Sequence, residues 1–454
     1  MSRQEFGMEI FSETEIKQWR TSSIKALFPF VVFVLFYFGF SLSLKDFSKV
    51  PMVVAFLVAS AVALMLNHKE KLSRKIELYT LGMGQRDIMM MCLIFILVGA
   101  FTETAKAIGA VDAAVLIAQS FIPSQFILAG IFVVSSLISL SIGTSCGTIA
   151  AIVPIAVTLS QTLGLDAGLL IGATVGGAMF GDNLSLISDT TIAATRTQNV
   201  LLKDKMIMNS KIVAIPAILT ILIYCLPQIN SIKPIAMNYV PTLSSYIDII
   251  PYILLLILGI SGVNVMFLLF IGTILNLVIG TYYGCFDLVV AFGLIGDGTL
   301  SMASVIIISL LAGGLLQMVR YNGGITYIIN STECLIKGKR LCEVGIAILV
   351  GIINIFTANN TVAIITAGPI AKEMSKKYDV DPRRTASILD TMSCCVQGAL
   401  PYGAQILIAI SLSAALSVTP FQIIKSLYYP MLVGIALFVS ILFTKENIEG
   451  KPQK

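Results

Sequence analysis

The stretch GTSCGTIAAIVPIA at residues 143–156 recurs, with substitutions, as TANNTVAIITAGPIA at 357–371. A shift of 215 residues places Pro154-Ile155-Ala156 on Pro369-Ile370-Ala371. Without a gap, the same shift carries Gly99 to Gly314, Gly109 to Gly324, Gly130 to Gly345, Ser160 to Ser375 and Asp166 to Asp381. The chain is an internal duplication. In each copy a helix-breaking polar turn separates two apolar runs.

Composition places that duplication in a membrane. Of 454 residues, 57% are hydrophobic and 12% charged, with a mean hydropathy of +0.92; soluble domains run near 45–50% apolar and about 25% charged. Apolar runs near 24–44, 51–67, 87–108, 167–195 and 207–229 read as spans, and so do 246–259, 262–280, 300–322, 385–412 and 420–444. The runs 126–142 and 149–163 flank the first polar turn, 343–356 and 362–376 flank the second, and 110–122 is amphipathic. The first twenty residues, with Glu5, Glu9, Glu13 and Glu15, lack an apolar signal core. The eight cysteines show no zinc spacing and read as small buried hydrophobes. A net charge of +5 is ordinary for an inner-membrane protein and implies no nucleic-acid partner. No cofactor is expected.

Charge sets the orientation. Lys17, Arg20 and Lys25 precede the first span, and Lys69, Lys71, Arg74 and Lys75 lie in a 68–75 loop two crossings later, so both segments are expected in the cytoplasm. The flanks of the first polar turn, 118–127 and 157–168, hold no Lys or Arg. Those of the second hold Lys337, Lys339 and Arg340, then Lys372, Lys376, Lys377, Arg383 and Arg384. Each helix–turn–helix therefore enters and leaves on one face, and the two repeats are inverted. Arg196, Lys203, Lys205 and Lys211 follow the first broken helix inside, whereas 411–426 holds only Lys425. The expected fold is an all-α integral membrane protein of two inverted repeats. It has about ten transmembrane helices, two re-entrant hairpins and two broken helices. Residues 1–23 form a cytoplasmic segment, 24–229 repeat 1 and 246–444 repeat 2, within one membrane domain of the cell membrane. Both termini are expected in the cytoplasm. An inverted repeat with polar breaks is the pattern of a secondary transporter whose site lies at the repeat interface.

The breaks carry the chemistry, because lipid cannot satisfy freed backbone groups and such backbone must be buried in protein or line a cavity. Thr144, Ser145 and Thr148 at the first turn, and Asn359, Asn360 and Thr361 at the second, offer only oxygen ligands that suit a hard cation such as Na⁺. The first broken helix reads GDNLSLISDTT from Gly181 to Thr191. Its two carboxylates, Asp182 and Asp189, are expensive at membrane depth unless functional, and Asn183, Ser185 and Ser188 join them as candidate ligands. The second, QGALPYGAQ from Gln397 to Gln405, is polar but uncharged. Gln397 stands where Asp182 stands and Ala404 where Asp189 stands, so only one of the two polar sites holds carboxylates.

On these residues the chain resembles the NhaC family of Na⁺/H⁺ antiporters. The resemblance rests on Gly181-Asp182-x-Leu184-Ser185-x-x-Ser188-Asp189-Thr190-Thr191, on Ala358-Asn359-Asn360-Thr361-Val362-Ala363 and on Ala367-Gly368-Pro369-Ile370-Ala371. It continues through Asp381-Pro382-Arg383-Arg384 and Gln397-Gly398-x-x-Pro401-Tyr402-Gly403-Ala404-Gln405, covering roughly residues 90–412. It implies Na⁺/H⁺ exchange, with Asp182 and Asp189 taking Na⁺ and H⁺ in competition. The family commonly has Gly-Asp-Lys-x-Ser-Pro; here Asn183 and Leu186 replace the Lys and Pro, leaving Asp182 less compensated. Some relatives carry small organic acids or amino acids, so a Na⁺-coupled carrier of such a solute is the alternative. A homodimer is compatible with the sequence.

Other readings of the same residues are blander. Asp182 and Asp189 could cap helices, Ser145 could pack helices, and the glycines at 172, 176, 177 and 181 are more often close-packing positions. Glu103 could relay protons or be solvated near a span end; Asp112, Asp297 and Asp390 are individually weak candidates. Lys106 and Arg320 read as snorkelling cations, and His68 as a solvated loop residue. Gly143-Thr144-Ser145-Cys146-Gly147 also fits the G-x-S-x-G pattern of serine hydrolases. The single histidine lies in a basic loop and no strand precedes the motif, so an enzyme is not expected.

Overall fold

The computed structural model describes residues 22–44, 50–113, 123, 126–186, 188–226, 243–260, 263–333 and 338–443. The N-terminal segment 1–21, most of the amphipathic stretch 110–122 and Lys337 lie outside the described residues. The first repeat supplies α1 Phe28–Ser43, α2 Met52–Met65, α3 Leu72–Met83, α4 Arg86–Ala107 and α5 Ile127–Ile142. It continues with α6 Ser145–Leu163, α7 Ala167–Leu184, α8 Asp189–Gln198 and α9 Leu202–Tyr224. The second supplies α10 Ile250–Ile260, α11 Val265–Tyr282, α12 Leu288–Ser301, α13 Ala303–Tyr321, α14 Gly324–Glu333 and α15 Lys339–Thr357. Then come α16 Asn360–Lys377, α17 Pro382–Ala399, α18 Ala404–Leu412, α19 Pro420–Lys425 and α20 Tyr428–Leu442.

The duplication is preserved to the helix ends. A 215-residue shift carries the first residues of α6, α7 and α8 onto those of α16, α17 and α18, and the last residue of α7 onto that of α17. The polar turns share one geometry. Gly143 (φ 75°) and Ala358 (φ 48°) end α5 and α15 in the left-handed region, and Thr144 and Asn359 follow as extended N-caps. Both cap side chains accept from the backbone N–H three residues on, at 3.5 Å from Gly147 and 3.0 Å from Val362. Asp166 and Asp381 cap α7 and α17, accepting from the backbone N–H of Leu169, three residues on, and of Arg383, two residues on.

The chain divides into two compact units that cut across the repeats, residues 1–89 with 307–336 and residues 90–306 with 337–454. In the first unit Phe33 packs on Phe56 with ring centroids 4.3 Å apart, and the Tyr79 hydroxyl donates to the Leu311 carbonyl at 3.0 Å. The basic segment 68–75 is not simply a loop, because α3 begins at Leu72. Lys75 lies buried along that helix and donates to the Leu64 carbonyl. Its charge satisfies a helix C-terminus.

The second unit holds both hairpins and both broken helices, and it shows the inversion directly. Lys205 near the start of α9 donates to the Asn183 carbonyl at the end of α7. At the far end of α9, Tyr224 donates to the Ser426 carbonyl, which packs against Gly172 near the start of α7. Thus α9 runs antiparallel to α7. Its counterpart, α19 with α20, runs parallel: Gln422, Ser426 and Tyr429 lie in turn against Gly168, Gly172 and Gly176. Equivalent helices pass α7 in opposite directions, as inverted repeats require.

Among the described residues, eight helices are long and apolar enough to cross a membrane, and Met52–Met65, Ile127–Ile142, Met266–Tyr282 and Tyr428–Leu442 are shorter apolar helices. Phe267, Phe270, Ile274 and Val278 stay exposed at three- and four-residue spacing along α11, the stripe a lipid-facing helix presents. The chain is a multi-pass membrane protein. Three boundaries differ from the sequence reading. The hairpin helices α6 and α16 start at Ser145 and Asn360, because capping lets the polar residues form the first helical turn. The first broken helix continues through Gly181 to Leu184 and resumes at Asp189, with Ser185 and Ser188 extended; the second is interrupted at 400–403. Residues 288–301, unassigned from sequence, form α12.

Glycines set the spacing between the first hairpin and the first broken helix. A methyl group added at Gly177 or Gly181 would run into the carbonyls of Phe132 and Ser136, so α5 and α7 touch backbone to backbone. In the second repeat the small residue is on the other helix. Gly351, the counterpart of Ser136, faces Met392 and Val396, the counterparts of Gly177 and Gly181.

Candidate functional site: Asp182 at the break of α7 and α8

Asp182 lies in the last turn of α7, and its carboxylate meets the first turn of α6. Its Oδ2 accepts from the Ser145 hydroxyl at 2.7 Å and from the Ser145 backbone N–H at 3.3 Å. Its Oδ1 accepts from the Ser188 hydroxyl at 2.5 Å, across the unwound segment. The positive end of the α6 dipole thus faces a carboxylate, the polarity with which helix N-termini meet anionic groups. Ser188 also shares a hydrogen with Thr190 at 2.9 Å. Ser185 and Ser188 are extended (ψ 135° and 137°) where helix would otherwise continue.

The second repeat joins this site by a row of amides. Gln405 Nε2 donates to the Ser145 hydroxyl oxygen at 3.0 Å, and Gln405 Oε1 accepts from Gln397 Nε2 at 3.0 Å. Gln397 Nε2 also donates to the Ala358 carbonyl at 2.9 Å. Every donor in the row from Gln397 to Gln405 to Ser145 points toward the carboxylate, so each bond polarises the next. Asp182 and Gln397, related by the repeat, sit at opposite ends of this row. Beside it, Asn354 Nδ2 donates to Asn360 Oδ1 at 3.3 Å and to the Ser393 carbonyl at 2.7 Å.

Next to Asp182 is a buried ion pair. Lys205 Nζ lies 2.5 Å from Asp390 Oδ2, with both side chains 1% exposed. Lys205 also donates to the Asn183 carbonyl at 3.0 Å and to Thr191 Oγ1 at 2.9 Å. Asn209 Nδ2 donates to the same carbonyl at 2.8 Å, while its Oδ1 accepts from Ser387 and Thr391.

Two consecutive matches to the model of the Na⁺/H⁺ antiporter family cover residues 4–227 and 228–445. The chain belongs to the Na⁺/H⁺ antiporter family. Each repeat matches the antiporter model separately, so the duplication belongs to the antiporter fold. Among solved structures, the YdaH transporter of Alcanivorax borkumensis, described as having an unusual topology, shares 14% identity over 77% of this chain and 84% of its own, at a TM-score of 0.42. No curated protein matches the chain.

In this chain, Asp182, Ser145 and Ser188 are brought together, and Gln397 joins them through Gln405. The other expected ligands are differently occupied. Thr144 caps α6, and Thr148 donates to the Thr144 carbonyl at 3.0 Å. Asn359 caps α16, with its Nδ2 3.5 Å from Met91 Sδ. Asn360 accepts from Asn354, and Thr361 lies half-buried in the first turn of α16. Asn183 turns its side chain to the Tyr429 hydroxyl at 3.0 Å, and Ser185 is buried. Asp189, read from sequence as a buried partner of Asp182, opens α8 and is exposed. An unbroken helix would place the two carboxylates on one face two turns apart, and the extended backbone of Ser185 and Ser188 interrupts that helix between them.

The residues missed from sequence are Lys205, Asn209 and Gln405, and Asp390, individually a weak candidate there, holds the buried lysine. The sequence reading groups Lys205 with Arg196, Lys203 and Lys211 as charges that follow the first broken helix; the structure buries its side chain and pairs it with Asp390. A signal existed: Lys205, Asn209, Ile212, Val213, Pro216 and Thr220 recur at three- and four-residue spacing and form the buried face of α9. Lys205 also brings a positive charge to Asn183, the position where the family commonly carries lysine. Elsewhere, Glu103 pairs with Lys106 at 2.6 Å near the end of α4, and Asp112 and Asp297 are exposed. The G-x-S-x-G stretch follows helix α5, and the Ser145 hydroxyl is held by Asp182 and Gln405.

Proposed function

We propose that this antiporter exchanges Na⁺ for H⁺ at Asp182, by alternating access of two inverted repeats in the cell membrane with both termini cytoplasmic. The observation that supports it is the Asp182 carboxylate at a helix break, facing the N-terminus of α6 and flanked by the Ser145 and Ser188 hydroxyls. Carboxylate, hydroxyls and unwound carbonyls are the oxygen donors a hard monovalent cation takes. A protonated Asp182 has lost the charge that holds the cation, so Na⁺ and H⁺ exclude one another there, and that exclusion is sufficient for exchange. Asp189, exposed at the start of α8, attracts cations toward the site.

The test is flux in proteoliposomes. An imposed Na⁺ gradient should move protons with no organic solute present, and Asp182→Asn should abolish that movement while the protein still inserts. If Na⁺ moves no protons until an amino or carboxylic acid is supplied, the chain is instead a Na⁺-coupled carrier of organic solutes.

A further inference from the structure

Lys205 is an ammonium ion inside a cage of oxygens. Its Nζ is met by a backbone carbonyl (Asn183, 3.0 Å), a hydroxyl (Thr191, 2.9 Å) and a carboxylate oxygen (Asp390, 2.5 Å). Those three donors are the set that binds a hard monovalent cation: one anionic, two neutral, and one of them a carbonyl freed where a helix unwinds. The cage also spans the break, since Asn183 lies in the last turn of α7 and Thr191 in the first turn of α8. Its acid comes from α17, in the other repeat.

A second observation points to a ligand rather than to an ordinary ion pair. Asp390 Oδ1 is buried with no hydrogen-bond partner, although its residue is 1% exposed. Buried carboxylate oxygens ordinarily accept hydrogen bonds, and a lysine point charge placed on Oδ2 leaves Oδ1 as spare coordinating capacity. Asn209 is neutral and supports the cage: its Nδ2 donates to the Asn183 carbonyl at 2.8 Å and to Asp390 Oδ2 at 3.5 Å, while its Oδ1 accepts from Ser387 and Thr391.

We propose that Asn183 O, Thr191 Oγ1 and Asp390 form a second cation site, distinct from Asp182, whose resident ion in this chain is the Lys205 ammonium. The lysine is a tethered cation, and the site takes a free monovalent cation such as Na⁺ when that tether is removed. Asp390 stays neutralised in either case. The break between α7 and α8 is held by the same three oxygens whether the charge at their centre is covalently attached or free.

The experiment uses the full chain, purified in detergent, and does not depend on Na⁺/H⁺ exchange at Asp182. In Lys205→Ala, thermal stability should become Na⁺-dependent, with a midpoint several degrees higher in Na⁺ than in equimolar choline, beyond any shift wild type shows. Equilibrium binding of radioactive Na⁺ should rise by one ion per chain. Lys205→Ala/Asp390→Asn should lose both gains, because the cage then lacks its anion. If Lys205→Ala is recovered only from membranes solubilised in Na⁺, that dependence is itself the expected result. Ethylammonium, which replaces the missing ammonium, should substitute for Na⁺. The proposal is overturned if Lys205→Ala is no more responsive to Na⁺ than wild type, or if its response survives Asp390→Asn. Asp182→Asn in wild type separates the two sites. It should remove the wild-type Na⁺ response and leave the additional response of Lys205→Ala intact.

Discussion

At the residue scale, the weight falls on the Ser145 hydroxyl, which donates to Asp182 and accepts from Gln405. A hydrogen bond to a charged group contributes about 1.5–3 kcal/mol. Ser145→Ala should therefore raise the Na⁺ concentration for half-maximal exchange by roughly tenfold or more, with folding intact. Asp189→Asn should cost less than Asp182→Asn, since Asp189 is exposed and screened. Proton competition at Asp182 carries its own signature. On the acid side of its titration, apparent Na⁺ affinity should fall by up to about tenfold per pH unit, and Asp182→Glu should move that profile along the pH axis. A pH-independent Na⁺ affinity in wild type would remove Asp182 from the exchange step. The sequence made Asp182 legible because a carboxylate in an apolar run is costly. It did not reveal the partnership of Lys205 with Asp390. The partners are 185 residues apart and belong to opposite repeats, and no local pattern links them.

At the scale of elements, the caps decide where the polar residues fall. Asp166 Oδ1 accepts from the Leu169 N–H at 2.9 Å and Asp381 Oδ1 from the Arg383 N–H at 2.8 Å. Replacing either with alanine should lower stability by about 1 kcal/mol, read as a shift in thermal midpoint. The Asp381 cap should respond to acid. Hydrogen bonds from the Arg383 side chain hold the Asp381 carboxyl below its usual range. Its contribution is therefore complete above the ordinary carboxylate value near 4 and is lost as pH falls through the lowered value. Helix existence was readable from the apolar runs, and both hairpins from the repeat. The ends were less so: a capped helix takes Ser145, Thr148 and Asn360 into its first turn, where hydropathy alone sees a polar loop. The basic segment at 68–75 misled for a related reason, since Lys75 spends its charge on the Leu64 carbonyl inside the protein.

At the scale of the whole molecule, inversion was legible because two independent records agree: the 215-residue repeat and the lopsided distribution of Lys and Arg. From the same two records we propose that the hairpins open on opposite faces of the membrane. Gln161 and Lys376 are exposed counterparts near the ends of α6 and α16. In a chain freed of its own cysteines, Gln161→Cys should react with an impermeant thiol reagent from outside the cell, and Lys376→Cys only in inverted vesicles. Reaction of both from one face would remove the proposed orientation of the two hairpins. The glycine contacts described above set a further asymmetry. The carbonyls of Phe132 and Ser136 seat directly on Gly177 and Gly181, so α5 and α7 can neither slide nor part without breaking backbone packing. Between α15 and α17 the gap is filled by Met392 and Val396, and a methionine can change rotamer at small cost. The seam between the first hairpin and its broken helix is close-packed, and the second is filled by movable side chains. If the two jaws open in turn, as we propose, one rigid and one yielding jaw should not open equally fast, and the half-cycles should differ in time although the fold is nearly symmetric in space.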